Sequence, residues 1–179
     1  MTSIVVPKEY GAREQLCHRG NRLDLLRTPP RDTYPPLRGA MLTYTGLQLS
    51  FWHGLRIGSY RKQAGLGYPK AFADSSDMSA ADADRKKKMY LFNCAKRAED
   101  NYHENHASVM AAMLISGVQY PLTTTGLSVV WMAGRLVYAL GYTRTDKSKG
   151  EGRLAGSFFW FAQLGLFGLT AWTGIKMVL

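Results

Sequence analysis

An all-α fold, four membrane-spanning helices running up and down as a bundle, is what this sequence predicts, and three observations predict it. No Asp, Glu, Lys or Arg occurs from Ala107 to Gly134, Arg135 stands alone, and the run continues uncharged to Thr143. Leu154 to Ile175 is a second uncharged run. A crossing helix needs about 20 mainly apolar residues, so the first run holds two crossings and the second holds one. The third observation is where the cations sit. Arg56, Arg61, Lys62, Lys70, Lys86, Lys87, Lys88 and Arg97 fall between 56 and 104, and Arg144, Lys147, Lys149 and Arg153 between 144 and 153. The turn around Gly117 to Thr125 has none. An excess of Lys and Arg in cytoplasmic loops puts both basic loops in the cytosol and the 117–125 turn across the membrane.

The averages alone read differently. A chain of 179 residues allows one domain, and 46% hydrophobic with 20% charged residues describes a soluble globular protein. The 39-residue stretch from Asn105 to Thr143 with a single charge overrules that description. A net charge of +10 would suit a nucleic-acid binder, but the cations flank apolar runs instead of forming a stripe of their own.

Residues 1–38 carry seven Lys or Arg, with Pro29, Pro30, Pro35 and Pro36 as helix breakers, and read as an irregular polar segment. The membrane bundle is expected over 39–179. Gly39 to Leu55 is a short first crossing diluted by Thr43, Thr45, Gln48, Ser50 and His53. Asp74 to Asp84 reads as a loop leading into a helix capped by one of its Asp or Ser residues. Asp82 to Tyr120 can run as one helix, polar first and apolar second, until Pro121 stops or kinks it. Pro121 to Tyr142 forms the third long helix and Arg153 to Val178 the fourth. Ser108, Ala112 and Ser116 recur every fourth position and admit a close neighbour.

Cys17 and Cys94 are too few for a disulfide framework, and Cys94 falls on the reducing side. His18, His53, His103 and His106 lack metal-ligand spacing, so no metal is expected. Ile4 to Pro7 is too short for the core of a cleavable signal.

Several polar residues sit where apolar ones would be cheaper. Asn93, Arg97, Asn101, Glu104 and Ser108 share one face of the second long helix. Arg135, Tyr138 and Tyr142 share a face of the third, and an intramembrane arginine must face the bundle interior, meet a polar partner or snorkel. Arg153 opens the fourth, where a cation opposes the helix dipole unless an anion joins it. In an up-down bundle Arg61, Arg97, Asn101, Glu104, Tyr138, Tyr142 and Arg153 converge near the cytosolic interface. Such a set suits a small peptide-like anion, its carboxylates on arginines and its ammonium on Glu104.

The stretch Phe92-Asn93-Cys94-Ala95-Lys96-Arg97-Ala98-Glu99-Asp100-Asn101-Tyr102-His103-Glu104, with the pattern FNC-x-x-R-A-x-x-N-x-x-E, resembles the MAPEG superfamily, and within it the fungal type 3 microsomal glutathione S-transferases. Gly134-Arg135-Leu136-Val137-Tyr138, Gly152-Arg153-Leu154-Ala155-Gly156, Ser59-Tyr60-Arg61-Lys62 and Tyr68-Pro69 extend the likeness over residues 51–179. The resemblance implies a homotrimer of four-helix subunits and a multi-pass protein of the endoplasmic reticulum membrane, with the nuclear envelope or outer mitochondrial membrane as alternatives. It implies glutathione as co-substrate, bound between subunits near the cytosolic face, and a lipophilic electrophile or lipid hydroperoxide as partner. Carried over by position, Arg61, Arg97, Asn101, Glu104, Tyr138 and Tyr142 bind glutathione, Arg153 is the catalytic residue that stabilises the thiolate, and Arg135 is a possible secondary arginine near the thiol. The expected function is therefore a membrane glutathione transferase and peroxidase. The alternative is a non-catalytic member that binds lipid or protein. Asn105 stands where family members carry tyrosine. Val6 to Gly11 resembles the lead-in to the first membrane helix, but Ala12 to Arg38 is polar and proline-rich in its place.

Overall fold

The computed structural model describes residues 35–179, with side chains from Gly46 onward except Ser148. The expectations for residues 1–34, including Cys17, His18 and the lead-in at Val6 to Gly11, lie outside the described residues, as does most of the segment expected over 1–38.

The described residues are helical in the order α1 (Pro35–Ala64), α2 (Ser75–Ser79), α3 (Ala83–Gln119), α4 (Pro121–Tyr142), a 3₁₀ segment (Ser148–Gly156) and α5 (Phe159–Val178). Where the sequence reads Pro35 and Pro36 as breakers, they begin α1. Proline is tolerated in a first turn, whose N–H groups have no intrahelical acceptor. Asp74 caps α2 through a capping box with Asp77, and Asp82 caps α3 by accepting from the Arg85 N–H. Pro121 divides α3 from α4, with Tyr120 as the one residue between them. The fourth long helix begins at Phe159, not Arg153; the residues before it form the 3₁₀ segment, inclined 48° to α5.

Cross-helix hydrogen bonds fix the helix directions. From α3 to α4, Ser116 meets Thr124 and Asn101 meets Arg135, so one number rises as the other falls and the pair is antiparallel. From α3 to α5, Asn105 meets Gln163 and Ala112 meets Thr170, a constant offset that makes the two parallel. Tyr102 donates to the Gly46 carbonyl and Arg85 to those of Ala64 and Gly65, which makes α1 antiparallel to α3. The four long helices alternate in direction.

Two cores result. Tyr102, Val109, Met113, Trp131, Phe159 and Leu166 fill the space between α3, α4 and α5, while Ile57, Met89, Phe92 and Ala95 join the end of α1 to the first half of α3. Polarity in the first region is inverted relative to a water-soluble bundle. Ser116, Thr124, Ser128, Gln163, Thr173 and Arg135 are buried, whereas Leu122, Val129, Leu140, Phe161, Leu164 and Trp172 are exposed. Three of the buried hydroxyls turn back on their own helices, Ser116 to the Ala112 carbonyl, Ser128 to Thr124 and Thr173 to Leu169, and Thr124 donates across to Ser116. Among the described residues no single helix is long and apolar enough to cross a membrane, but the 3₁₀ segment and α5 meet that test as a bent pair.

Candidate functional site

The loop after α1 is built around one guanidinium. Arg61 is buried, lies 4.5 Å from the Tyr68 ring and 4.8 Å from the Phe92 ring, and donates to the carbonyl of Lys70 at 2.6 Å. Asn93 closes the same loop from α3: its Oδ1 accepts from the Ala73 N–H at 2.8 Å and its Nδ2 donates to the Ala73 carbonyl at 2.9 Å. Both residues of the FNC and YRK motifs are thereby engaged in shaping the loop, and Arg61 is hydrogen-bonded to it and not to Arg97, Asn101 or Glu104.

Those three form a chain of their own. Arg97 Nη1 donates to Glu104 Oε1 at 3.0 Å, Asn101 Nδ2 to Glu104 Oε2 at 3.3 Å, and Arg135 Nη1 to Asn101 Oδ1 at 2.8 Å. Arg97 and Glu104 pair well despite the seven-residue step, since two helical turns bring them to one face and both chains are long. Their side chains are about half exposed, at 52% and 51%, while Arg135 is 1% exposed. A line of polar contact thus runs from the surface to the interior. The Glu104 carboxylate beside Arg97 holds the guanidinium pKa above its ordinary value.

Arg135 does not snorkel. Its Cζ lies over the rings of Phe159 at 4.4 Å, Tyr102 at 5.4 Å, Tyr138 at 5.5 Å and Trp131 at 5.7 Å, so cation–π contact replaces water. Its Nε and Nη2 have no hydrogen-bond partner among the described residues. The sequence reading missed this cage, although Trp131, Arg135, Tyr138 and Tyr142 repeat at steps of four, three and four, a spacing that marks one face.

Tyr138 and Tyr142 continue the line outward, their rings edge to face at 5.6 Å, and Arg153 lies 5.1 Å over Tyr142. Backbone contact between α4 and the 3₁₀ segment sets that distance. A Cβ on Gly141 would overlap the carbonyl oxygen of Gly152, and one on Gly156 the amide of Tyr138. Only glycine lets the two backbones touch. Arg153 also donates to the carbonyls of Lys149 and Gly150, at 3.0 and 3.1 Å. Since α5 starts only at Phe159, the helix N-terminus expected beside this guanidinium is not there. Asn105 is structural in this chain: it donates to the Asn101 carbonyl and accepts from Gln163, which in turn accepts from Trp131 Nε1. Of the small-residue stripe, Ala112 and Ser116 are buried and Ser108 is exposed.

The arrangement offers an exposed cation and carboxylate, a buried arginine with free donors and two phenols, all joined. Burial raises the pKa of the nearby Cys94 thiol, which makes it a poor nucleophile. Comparison with protein-family models matches residues 41–172 to the MAPEG family. The chain belongs to the MAPEG family. That match spans α1 to α5 and includes Arg61, Arg97, Asn101, Glu104, Arg135, Tyr138, Tyr142 and Arg153. MAPEG proteins are membrane-associated and include glutathione transferases, peroxidases and eicosanoid-metabolising members, with some non-enzymatic.

Proposed function

We propose that this MAPEG chain is an integral membrane glutathione transferase and peroxidase of the type 3 microsomal kind, acting as a homotrimer in the endoplasmic reticulum membrane. One observation carries the reading: the unbroken polar line Arg97–Glu104–Asn101–Arg135, continued by Tyr138, Tyr142 and Arg153, at the end of the bundle that holds the basic loops. The inverted polarity of α4 and α5 supports the membrane part, because lipid solvates exposed Leu, Val and Phe while buried hydroxyls satisfy themselves.

Glutathione is a zwitterion with two carboxylates. In this reading one carboxylate displaces Glu104 from Arg97, the freed Glu104 receives the ammonium, and the second carboxylate or a peptide carbonyl meets the unpartnered donors of Arg135. The thiol then lies near Arg153. A free thiol has a pKa near 8.5, and an adjacent arginine lowers it, raising the thiolate fraction at neutral pH. In transfer, the sulfur forms a bond to an electrophilic carbon as the leaving group departs. In peroxide reduction, it attacks the distal oxygen, the lipid alcohol leaves with a proton, and a second glutathione resolves the sulfenic acid to a disulfide and water.

Glutathione binding to the detergent-purified chain tests the assignment. Arg97→Ala and Glu104→Ala are each expected to weaken binding by roughly 1.5 to 3 kcal/mol, the usual loss when a charged hydrogen-bond partner is removed. Unchanged affinity in both variants would sink it.

A further inference from the structure

A second basic feature lies outside the polar line. A groove of about 490 Å³ opens between the first turns of α3 and the loop after α4, lined among others by Lys87, Tyr90, Arg144, Asp146, Lys147 and Lys149. Its charges are not balanced. Arg144 is neutralised by Asp146, with Nε to Oδ1 at 2.9 Å and Nη2 to Oδ2 at 2.6 Å. Lys87, Lys147 and Lys149 have no ion pair among the described residues. Lys70 pairs with Asp74 and Asp77, Lys88 with Asp84, and Lys96 with Glu99 and Asp100, whereas Lys62 and Lys86 have no ion pair among the described residues either; what sets the groove apart is that its three unpaired lysines line one concavity. The one acid of that lining, Asp146, is taken up by Arg144, which leaves three cations of the groove uncompensated among the described residues. Three like charges around one concavity repel, and an anion removes that repulsion.

The groove begins two residues beyond the end of α4, whose apolar residues Val137 and Leu140 are exposed. In a membrane protein that is the depth of lipid phosphates. Tyr90 adds an exposed phenol to the lining. We propose that this groove binds the phosphate of an anionic phospholipid headgroup, with Lys87 on one wall and Lys147 and Lys149 on the other. Phosphate is the shared chemistry of lipid and soluble ligands, and the position beside an exposed apolar helix end favours the lipid.

The experiment is a thermal-shift titration of the full detergent-purified chain with short-chain phosphatidic acid, phosphatidylcholine and inorganic phosphate. Phosphatidic acid is expected to raise the melting temperature saturably, while the other two do not at the same concentrations. The double variant Lys87→Gln, Lys147→Gln is expected to need at least about ten times more phosphatidic acid, because two of the three unpaired cations that face the headgroup are lost. Glutathione binding should be unchanged in it, which separates this site from the polar line. Lys147→Gln alone, in an exposed loop, keeps the test open if the double variant does not fold. Control Lys62→Gln, Lys86→Gln, with the same charge change outside the groove, should titrate like the parent chain. Equal phosphatidic acid response in the parent and groove variants, or in the groove and control variants, overturns the site. Inorganic phosphate binding as tightly as phosphatidic acid overturns the lipid as its source.

Discussion

At the scale of single residues, the two arginines of the proposed site are held differently, and their removal should read differently. Arg153 sits at the rim on backbone carbonyls and a tyrosine face. With no helix N-terminus beside it, the thiolate stabilisation assigned to it rests on the guanidinium alone. One unit of lost pKa depression is about 1.4 kcal/mol, so Arg153→Ala should cut turnover about tenfold or more near neutral pH while leaving glutathione affinity nearly intact. The sign follows directly. A fixed positive charge lowers the thiol pKa, its loss moves the thiolate midpoint up, and raising the pH should partly rescue the rate. Thiolate absorbance of bound glutathione against pH, with turnover on an aryl halide alongside, measures both. The same titration curve in variant and parent would leave Arg153 a loop-shaping residue. The sequence showed which side chains were anomalous, because charge in an apolar run is visible by composition. It could not show that Arg61 is bonded to its own loop, since that depends on the irregular path of the chain around Gly67 and Lys70, or that Asn105 bonds Gln163, a partner distant along the chain.

At the scale of elements, glycine spacing decides where Arg153 stands. Gly141→Ala places a methyl against the Gly152 carbonyl, so α4 and the 3₁₀ segment must separate. A forced fit of this kind costs about 1 to 3 kcal/mol. The variant should melt several degrees lower and lose turnover as Arg153→Ala does, because Arg153 moves off Tyr142. Gly168→Ala, with nothing within 4 Å of its new Cβ, should be neutral or slightly stabilising. Equal melting points for both variants would remove the packing argument. Gln163 supports a second prediction, since it links α3, α4 and α5 through Asn105 and Trp131. Gln163→Leu leaves a buried indole N–H without an acceptor, a loss of about 1 to 3 kcal/mol readable in thermal denaturation. Helix limits at Asp82 and Pro121 were legible because capping and proline act locally. The 3₁₀ segment was not, because its path depends on glycines of another helix.

At the scale of the whole molecule, the buried hydroxyls and exposed Leu, Val and Phe of α4 and α5 bear on assembly. The polar residues Thr124, Ser128 and Arg135 that dilute the apolar run of α4 are also what gives it a polar inner face. Reading spans by composition therefore underrates helices that pack tightly on one another. The alternating directions were legible from the uncharged runs and the placement of the cations around them, whereas the oligomeric state rests on resemblance and on surface character. Arg97 and Glu104 are half exposed on one subunit, and charge-assisted bonds strengthen when water is excluded. In the proposed trimer a neighbouring subunit supplies that exclusion. The chain purified in mild detergent should then have a protein mass three times its 20.0 kDa. Detergents that dissociate it should abolish glutathione binding even where helicity, followed by circular dichroism, is retained. A monomer that binds glutathione as tightly as the native assembly would show that one subunit completes the site and that the exposed pair needs no neighbour.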